Sequence, residues 1–228
     1  DAGVTGVVID HHRPKSNHDE LWPASNEFAH LVNPKVSNDP GPFDCMCTAG
    51  LALNFAYIMA KIAGNVPTDQ QLFDLTEMAA VGTICDMAHL ELPNRGIVRH
   101  GLQGLARTKR KGVKKLLSLF KVDGAPSSTN VSWKLGPAIN SPGRLGSAST
   151  SLQVLSSVPM VDSENAADEC FSINVERKAK TDASMAEAMD DVAKLEDVPK
   201  AIVIGRPEWN SGVVGLLAGR LMNEYGVP

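Results

Sequence analysis

Three consecutive residues, Asp10-His11-His12, follow directly on a short β-branched run from Val4 to Ile9. A carboxylate beside two imidazoles supplies the oxygen and nitrogen donors that hold divalent cations. A neighbouring carboxylate can also fix an imidazole's tautomer or join the coordination sphere itself. Ligand sites of α/β sheets lie just past the carboxyl ends of strands, and the triplet falls there. The same residues also fit a plain polar strand end. Asp86 is the second candidate, a lone acid in the apolar and small-residue stretch from Ala79 to Met87. A carboxylate is costly to bury unless it is paired or bound to a cation; the competing reading is an Asp that caps the next segment.

Other residues have the chemistry of phosphate contact. Asn140 and Arg144 lie in the Gly/Pro-rich stretch Leu135–Arg144, which reads as a loop, and an Arg fork on such a loop can grip a phosphate. Arg107 to Lys121 holds seven Lys/Arg and no acid, a pattern shared by phosphate-binding surfaces and ordinary solvated helix faces. Trp209 to Gly215 joins a late apolar run to a late helical pattern, and small residues there let a ligand or backbone approach a helix N-terminus. His18, His30, His89 and His100 have no partner spacing that points to a site. Cys45, Cys47, Cys85 and Cys170 lack zinc or disulfide spacing and read as free thiols of a reduced, cytoplasmic protein.

The elements that must position these groups follow from periodicity. Val4–Ile9 reads as a buried strand, and 13–44 as a long irregular connection. Helices are expected over 47–63, with Thr48 as a cap, and from Asp69 to about Thr83, opened by Thr68 or Asp69. Further helices are expected over about 94–107, 109–120 and 147–156. Residues 162–196, acidic, Ala-rich and free of Gly and Pro, form one long connecting helix. Ala201–Ile204 reads as a new strand and Gly212–Tyr225 as the helix after it. Hydrophobic residues at 43% and charged residues at 21% are the balance of a globular chain. A net charge of −4 excludes a generally basic nucleic-acid binder, so any polyanion must be met by local patches or bound cations. No stretch is long and apolar enough for a membrane helix. Both ends read as cut from something longer.

In their order and spacing, these blocks resemble the RecJ family of single-strand-specific exonucleases, within the DHH phosphoesterase superfamily. The resemblance runs through Asp10-His11-His12, CTAG at 47–50, GTICDMAHL at 82–90 and NRGIVRHGLQGL at 94–105. It continues through LGPAINSPGRLGSA at 135–148, NVER at 174–177 and EWNSGVVGLLAGRL at 208–221. It implies an α/β fold: the C-terminal part of a parallel-sheet DHH catalytic domain over 1–160, a connecting helix over 161–198, and the start of a DHHA1 domain over 199–228.

The activity it implies is 5′-to-3′ hydrolysis of single-stranded DNA in repair and recombination, with two Mn²⁺ or Mg²⁺ ions. Such a pair, roughly 4 Å apart, activates a water and stabilises the leaving oxygen. By motif position His11 and Asp86 are metal ligands, and Asp10 and His12 complete the site. Asn140, Arg144 and Arg220 would hold substrate phosphate or DNA. Family analogy adds a single-stranded-DNA-binding protein and a RecQ-type helicase as partners. Acidic motifs that the family carries well before DHH have no counterpart in the nine residues before Asp10, so the two-metal site is incomplete in this chain, which alone should be nearly inactive. Ala138 stands where the family commonly has Arg, and Asn210 where it commonly has His. Two other readings remain open: a DHH phosphodiesterase for short oligonucleotides or cyclic dinucleotides, and a non-catalytic repair or replication scaffold.

Overall fold

The computed structural model describes residues 6–13, 29–36, 41–158, 161–195, 197 and 199–228. Val4 and Thr5 of the expected first strand, and His18, lie outside the described residues. Packing divides the chain into two compact units, residues 1–108 with 122–133, and residues 109–121 with 134–228.

In the first unit, β1 (Gly6–Ile9) pairs in parallel with β2 (Ala29–Val32), with Gly6 opposite Ala29 and Ile9 opposite Val32. Asp10 N donates to Val32 O at 3.0 Å, so the ladder carries the chain one residue further, to the start of the triplet. β2 falls inside the segment expected to be an irregular connection. Three helices follow: α1 (Thr48–Ile62), α2 (Asp69–Cys85) and α3 (Leu92–Leu105). Gly64, in the left-handed region at φ +72°, ends α1, with Gly64 N bonded to Lys61 O and Asn65 N to Ala60 O. Thr68 opens α2 through a reciprocal capping box with Gln71. The core is built from Met46, Leu51, Ala79, Ala80, Val81, Ile84, Val98 and Leu105. Glycines set the helix spacings. A Cβ on Gly82 would overlap Ala49, and one on Gly101 would overlap Ala80 and Thr76 O.

In the second unit, α4 (Lys111–Leu119), α6 (Gly136–Leu145), α7 (Ser149–Leu155) and α9 (Ser211–Tyr225) pack on the 30-residue α8 (Ser163–Val192). Ala167, Cys170, Asn174, Thr181, Ala188 and Val192 line one seam of α8 at spacings of three, four and seven, which keeps them on one face. Val113, Leu116 and Leu117 form the buried face of α4, each such side chain contributing about 1.5–3 kcal/mol. The Lys/Arg run is mainly the other face: Lys115 meets Asp168 at 3.3 Å and Arg110 donates to Leu155 O at 2.7 Å.

Two further elements differ from expectation. The stretch 135–144 is not a loop. After the short α5 (Ser128–Asn130) and a π-helical turn at Val131–Leu135, it continues as α6 with Pro142 inside. Pro137 sits in the first turn, where no N–H is needed, and burial of Ala138, Ser141 and Pro142 overrides the Gly/Pro signal. Residues 201–204 form no strand. Ile202 and Ile204 instead pack on the cluster of Ala188, Val192 and Leu221, and Ile202 N donates to Pro228 O.

Candidate functional site

The first unit assembles its site from three segments. The end of β1 delivers Asp10, His11 and His12, the first residue of α1 is Thr48, and Asp86 ends α2. Asp10 Oδ1 accepts from His11 N at 2.8 Å and contacts His12 Nδ1 at 2.7 Å. Burial pushes the Asp10 carboxyl up, but the His12 side-chain hydrogen bond and the backbone N–H groups of His11 and His12 outweigh it. The group is held below the usual carboxylate range. The two imidazole rings lie 4.5 Å apart.

His11 is fixed at both nitrogens. Nδ1 accepts from the Thr48 backbone N–H at 3.3 Å and lies 2.8 Å from Thr48 Oγ1. That places the ring proton on Nε2, which faces Asp86 Oδ2 at 3.0 Å. Thr48 therefore does not cap the helix as expected. Cys47 holds the N-cap position, and the Thr48 hydroxyl is spent on His11. Its adjacency to Cys47-Thr48-Ala49-Gly50 was the available signal, but nothing local links it to a residue 37 positions earlier.

Asp86 is the C-cap of α2, not a cap for the next helix. The turn after it has Met87 N bonded to Ile84 O and Ala88 N to Thr83 O, with Met87 at φ +53°, where glycine is the usual occupant. This winding leaves the carboxylate 44% exposed beside His11.

Asp10, His11 and His12 each offer one donor atom within 4.8 Å of the others, the one such grouping among the described residues. His11 Nε2 and Asp86 Oδ2, 3.0 Å apart, have the separation of adjacent ligands bound at about 2.1 Å around an octahedral cation. The donor set, imidazole with carboxylate, also suits Mn²⁺ or Mg²⁺. Cys45 and Cys47 make no soft site: all four cysteines are free, Cys47 turns its sulfur to Thr83 Oγ1 at 3.6 Å, and burial pushes Cys85 up to about 11.

The remaining expected residues lie in the second unit. Asn140 and Arg144 stand exposed on α6, and Arg144 Nη1 donates to Gly212 O at 3.2 Å. Arg220, exposed on α9, donates to Asp182 Oδ1 at 2.8 Å. Asn210 caps α9 by accepting from Gly212 N, and Gly212 lies against the Arg144 carbonyl so closely that a Cβ would overlap it. Ala138 is fully buried. Sequence reasoning passed over Arg177, which lies on α8 beside Ser141 and Asn174.

A strand end, a parallel pairing and helix termini that converge on an Asp-His-His triplet define an α/β domain of the DHH type. No protein-family model matches the chain. It is similar over its whole length to the single-stranded-DNA-specific exonuclease RecJ of Bacillus subtilis, at 30% identity over 229 residues, covering 27% of that protein. The RecJ of Dickeya dadantii is 27% identical over 242 residues, 99% of this chain and 40% of the relative. The crystal structure of RecJ in complex with Mn²⁺ from Thermus thermophilus superposes with a TM-score of 0.82 at 26% identity, covering all of this chain and 32% of that one. A second, exonuclease RecJ bound to manganese, gives 0.80 at 25% identity, covering 99% and 54%. The chain is similar to RecJ exonucleases along its whole length. It spans between 27% and 40% of the length of these two curated relatives.

Proposed function

We propose that the protein is a metal-dependent exonuclease that hydrolyses single-stranded DNA, working 5′ to 3′ in repair and recombination. The observation that carries this reading is His11, clamped by Thr48 and facing Asp86 across 3.0 Å, in a chain similar to RecJ throughout. His11 and Asp86 are the proposed ligands of Mn²⁺ or Mg²⁺, and Asp10 and His12 complete or support the site. When bound, the cation polarises a phosphoryl oxygen and lowers the pKa of a water. Thr48 fixes the ring with Nε2 turned to Asp86, and its hydroxyl, 2.8 Å from Nδ1, can accept the ring proton there when Nε2 gives its lone pair to a cation. The Asp10 carboxylate, kept ionised by its hydrogen bonds, orients His12 and adds negative charge that favours a cation. Asn140, Arg144 and Arg220 are the proposed contacts to substrate phosphates.

The division into a DHH portion over 1–160, a connecting helix over 161–198 and the start of a DHHA1 domain over 199–228 belongs to the same reading. So does a cytoplasmic location, which the four free cysteines suit. So, too, do a single-stranded-DNA-binding protein and a RecQ-type helicase as partners.

The test is nucleotide release from 5′-phosphorylated single strands with Mn²⁺, comparing the full-length protein with its His11→Ala variant. The variant is expected to lose about 100-fold or more in activity, together with Mn²⁺ affinity. Equal activity in the two removes His11 from the reaction, and cleavage of dinucleotides in preference to long strands overturns the substrate assignment.

A further inference from the structure

Arg177, on α8, is held by groups that leave its charge unanswered. Its Nε donates to Ser141 Oγ at 3.1 Å, and its Nη2 donates to Asn174 Oδ1 at 2.9 Å. Both partners are neutral and buried, Ser141 at 0% and Asn174 at 2% exposure. Ser141 is fixed in turn, its hydroxyl lying 2.6 Å from Pro137 O and 3.1 Å from Asn174 Oδ1. A guanidinium carries five N–H donors. This socket takes up two of them, and among the described residues no carboxylate hydrogen-bonds Arg177.

Two more guanidiniums stand nearby. Arg144 lies three residues beyond Ser141 on α6 and is anchored to Gly212 O on α9. Arg220 of α9 bonds Asp182, which lies five residues beyond Arg177 on α8. Burial lowers the Arg177 pKa, and the charges of Arg144 and Arg220 lower it further, with Asp182 opposing. Arg177 thus lies within the field of both other cations. The carboxylate that opposes them, Asp182, is 66% exposed and already serves Arg220. A half-buried cation surrounded by like charge and held by neutral acceptors is unfavourable until an anion arrives.

We infer that Arg177, Arg144 and Arg220 form one oxyanion site for a backbone phosphate of single-stranded nucleic acid, with Arg177 as its fixed member. The inference rests on the nuclease reading above and adds to it a residue and its mounting. Exposed arginines must be ordered when a phosphate binds, whereas Arg177 is ordered beforehand by Ser141 and Asn174. Those two are positioning residues, and three guanidiniums suit the fork geometry that phosphate oxygens accept.

Arg177 could instead merely tie α8 to α6, and Asn174→Asp separates the two roles. The substitution is nearly isosteric and keeps an acceptor under Nη2, but it sets a carboxylate against Arg177 and cancels its charge. A structural tie would be strengthened by this change, while a phosphate site would be disabled. The experiment measures anisotropy of a labelled oligothymidylate with the full-length protein, in EDTA so that no strand is cut, over a series of KCl concentrations. Asn174→Asp and Arg177→Gln are each expected to weaken binding about tenfold at low salt. Each should also flatten the slope of log affinity against log salt by about 0.7, with the melting midpoint of Asn174→Asp at or above wild type.

Wild-type affinity and slope in Asn174→Asp overturn the inference, and because that variant retains the helix tie, it decides the matter even if Arg177→Gln fails to fold. Wild-type protein with no salt-dependent affinity for the strand overturns the nuclease reading and this one together. Binding by wild type that neither variant alters overturns this one alone.

Discussion

The spacing of α1 and α2 sets the geometry of His11, and Gly82→Ala tests this directly. Gly82 lies one turn before Asp86 and faces Ala49, the neighbour of Thr48. An added Cβ overlaps the Ala49 Cβ. Carbon atoms settle about 3.5–4 Å apart, so the helix ends must part by about 1 Å or more. His11 bridges those same ends, at 2.8 Å to Thr48 Oγ1 and 3.0 Å to Asp86 Oδ2. A parting of that size, shared between the two contacts, stretches both close to the limit of about 3.5 Å for a hydrogen bond. Overpacking costs about 1–3 kcal/mol, and replacing a helical Gly by Ala returns about 1 kcal/mol. The net loss is then about 0–2 kcal/mol, a drop of several degrees at most in melting midpoint. Mn²⁺ affinity should fall by about tenfold or more, because His11, the proposed ligand, loses its supports.

Thermal melting and Mn²⁺ calorimetry on the full-length protein read the two effects separately. Gly96→Ala, where an added Cβ meets nothing within 4 Å, is the control and should leave Mn²⁺ binding unchanged. Ala49→Gly in the Gly82→Ala background removes the overlapped carbon and leaves the Ala49 Cα at 3.9 Å, an ordinary contact, so it should recover most of the affinity. If Gly82→Ala binds Mn²⁺ as tightly as wild type, or if Ala49→Gly fails to rescue it, the two helix ends do not hold His11 in register.

Two further outcomes concern stability. Met87 occupies a left-handed position, at φ +53° and 87% exposed, so Met87→Gly relieves backbone strain without losing packing and should raise stability by about 1 kcal/mol in denaturant melts; an unchanged or lower value refutes the strain. The hydrogen bonds from Arg206 and Lys194 outweigh the smaller effect of burial and bring Asp191 down to about 2. A depressed acid contributes stability that is present above its ordinary value near 3.8 and lost as pH falls towards 2. Wild type should therefore lose more melting temperature between pH 4 and about 2 than Asp191→Asn does, and parallel losses would refute the linkage.

Much of this molecule is legible in its sequence where one signal dominates. The seam of α8, with Ala167, Cys170, Asn174 and Thr181, repeats at helical spacing and needs no outside partner to be read. Thr68 and Gln71 announce the start of α2 by side-chain chemistry alone. Reading fails where tertiary contacts decide. Pro142 and the glycines around it signal a loop, yet burial of Ala138 and Ser141 makes the segment helical. Ala201–Ile204 has strand composition, but its isoleucines are claimed by the cluster on α8 and α9. At the site, residue types and order single out Asp10, His11, His12 and Asp86. The role of Thr48 and the mounting of Arg177 depend on contacts 37 and 36 residues apart, which no local pattern contains.

The Thr48 backbone N–H pointed at His11 Nδ1 has an electrostatic consequence. With that nitrogen accepting, a ring proton lies between Nε2 and Asp86 Oδ2. An imidazole ligates through its unprotonated nitrogen, so a cation held at Nε2 would require this proton to lie on Nδ1, where the Thr48 hydroxyl stands 2.8 Å away to accept it. Thr48 thus offers that one nitrogen both a donor and an acceptor, so uptake of an ion would be coupled to a proton crossing the ring rather than to its loss.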